Sequence, residues 1–437
     1  MTGKYRRGLF ALYAKDAERA DALVFGRRTD SSRRGFLKNA GLASMTSLLG
    51  GAMPFARFFP AGLVPAAFAE SDAPFEIAGK QGLTLLNDKP LSAQTPPHLL
   101  ADLITPTHRH FIRNNGVPPK DIDPRGWRLT VSGAVERELT FSIDDLKRDF
   151  EIRELALQLE CGGNGRASFN PPVSGNQWSL GAIANAQWRG VRLADVLRRA
   201  GVQPSAVYTG HSGADTHLSG ALDKQPLSRG VPIDKAMDPN NLIAFEQNGA
   251  AIHPQNGAPL RLVIPGWPGS CSQKWLTNIH VSETKWTGAK MLPPAYSVPT
   301  YAALPGAAVN KKDFRTIESM PVKSMITTPV NAFRHADLDA SLMIAGHAWA
   351  GDLSVARVDV SIDFGASWLR ATVDAPLNPY SWQAWRAPVR FPTSGYFEVW
   401  ARATDTLGNT QPFAVRWNPK GYLNNAMHRI AVLAGAT

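Results

Sequence analysis

The stretch "ELALQLECGGNGRASF" (154–169) ends an apolar run on a cysteine, follows it with three glycines and places an arginine five residues further on. A thiolate is a soft ligand suited to a soft metal centre, and bare glycine backbone lets a loop come close to whatever the thiol holds. Arg166, across that loop, carries the planar fork that grips an oxyanion. From these residues alone three roles stay open for Cys161: a metal or cofactor ligand, a packed core thiol, or a nucleophile. The last needs a base, and the sequence does not say whether His211, His253 or His280 reaches it. Cys161 and Cys271 are the only cysteines in 437 residues, so one disulfide is open as well. The sequence has no Cys-X-X-Cys pair to mark zinc or an iron–sulfur cluster, and no Cys-X-X-Cys-His to attach a c-type haem. His108 and His110, two apart in a loop, are assigned no metal.

The elements that must position this loop are short. "EIRELALQLE" alternates as a buried strand that delivers Cys161 at its end, and "WRLTVSGAV" alternates as another. "FSIDDLKRDF" opens a helix with Ser142 as N-cap and Asp145 three residues on; "GVRLADVLRRAG" (190–201) has helical apolar spacing, arginines in its last turn and Gly201 as a stop. "NLIAF" and "PLRLVIPG" are further strands, with "QNG" a turn-like element between them. Strands and helices without a regular βαβ repeat predict an α+β domain over 70–305. Residues 70–125 are too proline-rich for long helices, and 290–317 reads as a connector rich in Pro and Ala. From about 318 the pattern becomes short alternating strands with Gly, Asp and Asn turns ("SLMIAGHAWA", "WQAWRAPVRF", "GYFEVWARATDTLGNTQP"), which predicts an immunoglobulin-like β-sandwich over 318–437.

The charge pattern narrows the function classes. The chain is formally +11, but residues 1–69 hold 11 basic against 4 acidic side chains, so most of the excess sits at one end and nucleic acid is not an expected partner. That end contains "SSRRGFLKNAG" with Arg33 and Arg34, a mildly apolar stretch, and small residues Ala67 and Ala69 before Glu70, the pattern of a twin-arginine signal peptide. Gly50, Gly51, Pro54 and Arg57 interrupt the apolar stretch, so no stable membrane span is expected. The twin-arginine route carries folded proteins, often with a cofactor already inserted, and so leans toward a periplasmic cofactor enzyme.

"LECGGNGR", "QWSLGAIANAQWRGVRLADVL" after it, "FIRNNGVPP" before it and "PLRLVIPGWPGSCSQKWL" further on, in that order, resemble the sulfite oxidase family of molybdenum enzymes, most of all the bacterial periplasmic sulfite dehydrogenases. The resemblance covers about 75–437, and the sandwich resembles the family's dimerisation domain. It implies molybdenum held by the dithiolene of molybdopterin and by the Cys161 thiolate, with no haem on this chain. In "IRNNG", Arg113, Asn114 and Asn115 match a loop that touches the cofactor, and Arg113 also borders the substrate anion. Arg166 matches a second pocket arginine, and Trp178 matches a tryptophan that closes the pocket, although by itself it reads as a core aromatic, as does Trp188. Arg261 and Lys274 match cofactor-binding positions; Ser270, Cys271 and Ser272 lie on the loop around the pterin phosphate; Tyr296 in "PPAYSVP" is the candidate active-site tyrosine. Three positions depart from the animal enzymes: Asn115 and Asn256 stand where those have histidines, and Gln383 aligns with a pocket arginine from the sandwich, with Arg386 three residues away.

The resemblance implies oxidation of sulfite to sulfate, the added oxygen coming from water and the two electrons leaving singly to a periplasmic c-type cytochrome. A homodimer or hetero-oligomer is implied. The alternative within the family is the molybdenum subunit of a sulfane dehydrogenase, acting on sulfur bound to a carrier protein.

Overall fold

The computed structural model describes residues 76–435, so the leader and its cleavage point lie outside the described residues. In the first half the cysteine-bearing strand Ile152–Glu160 pairs antiparallel with Ile183–Arg192, which pairs with Leu242–Gln247. Ala250–Ala251 and Arg261–Val263 both pair with Leu242–Gln247. Leu157 and Leu159 point one way, into a core with Trp178, Ala184, Ala186 and Trp188. Gln158 and Glu160 point the other way, toward the C-terminal half. Both faces of this strand end are therefore buried, the condition under which polar side chains must find partners.

A second five-stranded sheet runs Leu139–Phe141, Leu129–Gly133, Leu276–Ser282, Tyr208–Gly213, Gly230–Pro232, with Leu129–Gly133 parallel to Leu276–Ser282. Both expected helices form. Ile143–Asp149 starts with the Ser142 and Asp145 capping box. Leu193–Ala200 ends at Gly201, whose φ of +73° is a left-handed stop that costs glycine little. Its Leu193, Val196 and Leu197 are fully buried against the second sheet, each contributing about 1.5–3 kcal/mol. The α-helices among the described residues span 7, 8 and 4 residues, so this half is mostly sheet, with less helix than the mixed reading suggests.

The stretch read as a bare connector contains an antiparallel pair, Ser297–Pro299 with Phe314–Thr316. Beyond it, Lys323–Thr328, Leu342–Trp349, Gln383–Val389 and Thr372–Val373 form one sheet; Phe333–His335, His428–Ala434, Gly395–Asp405, Val355–Ser361 and Leu369–Arg370 form another. The two share one apolar core, with Ile344, Trp385 and Val389 from the first meeting Val358, Val399 and Val432 from the second.

The halves are joined by a buried ion pair. Lys323 Nζ donates to Glu160 Oε1 at 2.6 Å, and the two side chains are 3% and 1% exposed. Asn164 Nδ2 donates to the same oxygen at 3.0 Å and Trp349 Nε1 to the other at 2.9 Å. The carboxylate next to Cys161 is thus neutralised from the C-terminal sheet. Removing only the lysine strands a buried charge, whereas removing both charges leaves a neutral hydrogen-bonded amide. We expect Lys323→Met to lose about 3–5 kcal/mol and the pair Glu160→Gln/Lys323→Met to recover most of that, measured by urea unfolding. Equal losses in the single and double variants would show that the charge pairing is not what matters.

Candidate active site

Cys161 opens into a cavity of about 580 Å³ counted out to its mouth. The wall is assembled from ends of elements: Phe111, Arg113 and Asn115 in and around the short strand Ile112–Arg113, Asn256 from the turn Pro254–Asn256, Arg261, residues of the run 269–275 other than Cys271, and Tyr296. Of the residues singled out by sequence, Arg113, Asn115, Cys161, Arg261, Ser270, Ser272, Lys274 and Tyr296 line it together. Asn114 stands just behind, its Oδ1 accepting from Lys274 Nζ and its Nδ2 donating to Gln255 Oε1 at 2.8 Å. Both cysteines are free thiols, which removes the disulfide reading. Cys271 is fully buried, and burial pushes its thiol pKa up.

The electrostatics of this cavity are one-sided. Lys80, Arg113, Arg261, Lys274 and Lys290 gather around it, and among the described residues none of them makes an ion pair. Their partners are neutral oxygens: Lys80 donates to Thr107 O (2.6 Å), His110 O (3.1 Å) and Asn256 Oδ1; Arg261 to Asn256 O (2.7 Å); Lys274 to Gln255 O (2.9 Å). Burial, followed by the nearby Arg261 charge, lowers Lys80 to about 7 and pushes Lys274 well below the usual lysine range. Burial alone lowers Arg261 to about 9. Asp215 is the one acid lining the cavity, raised by burial to about 6 even though Lys274 and Lys290 pull it down. With five cationic side chains gathered around one acid, the site carries an excess of positive charge that calls for an anion.

Two residues singled out by sequence are not among those that line this cavity. Arg166 is 7% exposed and is no part of the cavity wall: its Nε donates to Lys420 O (2.9 Å), its Nη1 to Asn176 O (3.1 Å), and it lies over the Tyr422 ring at 5.0 Å. The guanidinium packs on Gly163, where a Cβ would sit 2.4 Å from Arg166 Nη2 and make it shift. Trp178 is fully buried in the core next to Cys161 and is not among the residues that line this cavity. Gln383 is turned inside the C-terminal half, donating to Asp374 O and accepting from Val355 N, while Arg386 is paired with Asp374 at 2.8 Å. Among the described residues, none beyond Tyr296 lines the cavity.

Other functional residues were missed. Lys80 is an isolated lysine in a loop, with no pattern to mark it. His110, set aside as a loop histidine, lines the cavity, and burial with Lys80 and Arg261 nearby holds its pKa well below the ordinary value. Tyr422 comes from the far end of the chain to stack on Tyr296 (5.5 Å, 24° between planes), whose hydroxyl donates to Asn115 Oδ1 at 3.3 Å.

The residues present fit a molybdenum–pterin cofactor. Among the described residues, no three His, Cys, Asp or Glu gather to hold an ion by themselves, so a metal on the Cys161 thiol would take its other ligands from the cofactor. His110 Nε2, Arg261 Nε, Ser270 Oγ and Gln273 Oε1 are buried without partners around the cavity, as a polar guest requires. The sequence matches the model of the oxidoreductase molybdopterin binding domain over residues 114–290 and that of the Mo-co oxidoreductase dimerisation domain over 314–434. It is 33% identical over 368 residues to the sulfite oxidase of Gallus gallus, covering 80% of this chain and 77% of that protein. It is 31% identical over 378 residues to an NADH nitrate reductase of Solanum lycopersicum, covering 80% of this chain and 40% of that one. The sulfane dehydrogenase SoxCD of Paracoccus pantotrophus matches as a structure with a TM-score of 0.66 at 27% identity, over 87% of this chain and 95% of that one. Fold and site define a molybdopterin-dependent oxidoreductase. The chain belongs to the sulfite oxidase family. It spans 62% of the length of the mitochondrial sulfite oxidase of Drosophila melanogaster that it matches.

The lowered Lys80 pKa has a measurable sign. Between about 7 and the ordinary 10.5 the unfolded chain keeps a proton that folded Lys80 has lost, so stability rises with pH across that window. In protein prepared without cofactor, Lys80→Met should reduce this slope by up to one proton, about 1.4 kcal/mol per pH unit. Denaturant unfolding across the window measures it; an unchanged slope would mean Lys80 stays protonated in the fold.

Proposed function

We propose that this chain oxidises sulfite to sulfate in the periplasm, with sulfite and water giving sulfate, two protons and two electrons. The observation that carries the reading is a single soft thiol opening into a cavity surrounded by unpaired cations. Molybdenum, held by the pterin dithiolene and Cys161, would supply the two-electron oxidation. Arg261, Lys274, Ser270 and Ser272 would hold the pterin phosphate, with Asn114 fixing the Lys274 ammonium. Arg113 faces the substrate side, where charge-assisted hydrogen bonds hold an oxyanion about twice as strongly as neutral ones. Tyr296, held through Asn115, orients a substrate oxygen or the incoming water. The electrons leave singly to a c-type cytochrome. Residues 1–69 serve as the twin-arginine leader, 70–305 as the cofactor domain and 318–437 as an immunoglobulin-like sandwich that pairs subunits in a homodimer or hetero-oligomer.

A second reading has its own support. The C-terminal half sends no cation into the cavity, and the structure of SoxCD, a sulfane dehydrogenase, is similar over most of its length. A less cationic mouth suits sulfur presented on a carrier protein.

Exported protein with its molybdenum quantified should reduce ferricyanide with sulfite, and Cys161→Ser should abolish this. Full molybdenum occupancy without sulfite turnover would favour the carrier-bound substrate. Sulfate and phosphate should inhibit more strongly at low salt, because the pocket attracts them by charge; inhibition constants that do not change with salt would count against a cationic pocket.

A further inference from the structure

The cation that the family resemblance would place at the substrate side from the sandwich is absent, because Gln383 faces into the C-terminal half and Arg386 is held by Asp374. Arg166 is tied to two backbone carbonyls. Another positive group stands where these do not. Lys290 Nζ donates to Asn115 Oδ1 at 3.0 Å, and the same oxygen receives Arg113 Nη2 at 3.0 Å and Tyr296 Oη at 3.3 Å. One amide oxygen has two lone pairs, so three donors oversubscribe it. Asn115 is neutral and so offsets neither charge; Asp215, on the cavity wall, is the one acid whose charge Lys290 feels, and it makes no ion pair with it.

The backbone holds Lys290 in place at some cost. Its φ is +64°, a left-handed conformation that a lysine rarely adopts. The neighbouring residues fix it there: Ala289 O accepts from Ser228 N (3.0 Å), Met291 N donates to Gly288 O (2.9 Å), the Met291 side chain is 1% exposed, and Trp286 Nε1 donates to Ser228 Oγ (3.1 Å). The stem is exposed while the ammonium turns inward to Asn115, which lines the cavity. Among the described residues, no carboxylate lies within ion-pair distance of it. Among the described residues, Asn115 Oδ1 is the one acceptor its ammonium meets.

We propose that Lys290 is a specificity-determining residue for the substrate oxyanion: with the Arg113 guanidinium and the Tyr296 hydroxyl it forms the charged face that receives a small dianion, in place of a cation from the C-terminal half. This deepens the sulfite reading and rests on it. The anion displaces the oversubscription on Asn115 Oδ1 by taking the free N–H groups of Lys290 and Arg113. Lys290 does not touch Cys161 or the pterin phosphate donors, so its loss acts on anion binding and leaves cofactor loading intact.

The test uses molybdenum-loaded protein carrying Lys290→Met or Lys290→Arg. Lys290→Met should raise KM for sulfite about tenfold or more with kcat within about twofold, and should flatten the salt dependence of KM; Lys290→Arg should restore both. Sulfate affinity, measured by titration calorimetry on the same proteins, should weaken with KM in the methionine variant. Wild-type turnover of sulfite with KM and sulfate affinity unchanged in Lys290→Met would overturn the assignment. If wild-type protein fails to turn over sulfite, the functional reading fails; weakened sulfate binding in the methionine variant would still support Lys290 as an anion-site residue, and unchanged binding would reject it.

Discussion

The structure depends on burying positive charge without cancelling it. A carboxylate beside each of Lys80, Arg261 and Lys274 would have satisfied them and left the cavity neutral. Instead their donors meet amide and carbonyl oxygens, several from a single turn: Asn256 Oδ1 takes Lys80, Asn256 O takes Arg261, and Gln255 O takes Lys274. A neutral oxygen fixes where an ammonium points while leaving its charge available to a guest. Asn115 Oδ1 does the same for Arg113 and Lys290 nearer the substrate. Two asparagines, standing where the sequence comparison expected histidines, thus act as the hubs of the charge distribution. Neutral at every pH of interest, they keep their acceptor character where an imidazole would lose it on protonation.

The cysteine loop is the second constraint, because it has almost no regular structure of its own. It is held from both halves. Glu160, one residue before the thiol, is clamped by Lys323 and Trp349. On the other flank the chain near residue 422 wraps it: Leu423 N donates to Gly162 O at 3.0 Å, Asn424 Nδ2 to Gly165 O at 2.7 Å, and Lys420 O accepts from Arg166. The C-terminal half therefore contributes to the site by holding the loop and by placing Tyr422 between Arg166 and Tyr296, with no charged group of its own at the cavity. A reading that assigns that half only to subunit pairing misses this.

How much was legible follows from range in sequence. The strand into Cys161, the capped helix at Ser142 and the glycine stop at Gly201 are local patterns, and they form where their residues say. The cavity residues on "QKW" and "PLRLV" were legible through the family resemblance and not through any local pattern of their own. Lys80, Asp215 and Tyr422 carry no local pattern and reach the site through tertiary packing from three distant segments. Arg166 shows the limit of spacing: it stands five residues after Cys161, yet its guanidinium is held by the carbonyls of Asn176 and Lys420 and is not among the residues that line the cavity. The shorter-than-expected helices have a similar cause, since residues 190–192 complete a ten-residue strand before the helix can begin.

These constraints bear on when the cofactor must enter. A cavity whose lysines are driven toward deprotonation by burial and mutual repulsion is at its least stable when empty, and an anionic guest that binds only the folded chain adds stability by mass action. The loop that carries the thiol is closed over by chain from the far end of the sequence, around residues 418–424, so the thiol reaches its final position only once both halves have folded. These two facts couple folding of both halves to a finished site and make the loaded protein the more stable form, which is compatible with the proposed export of an already folded protein.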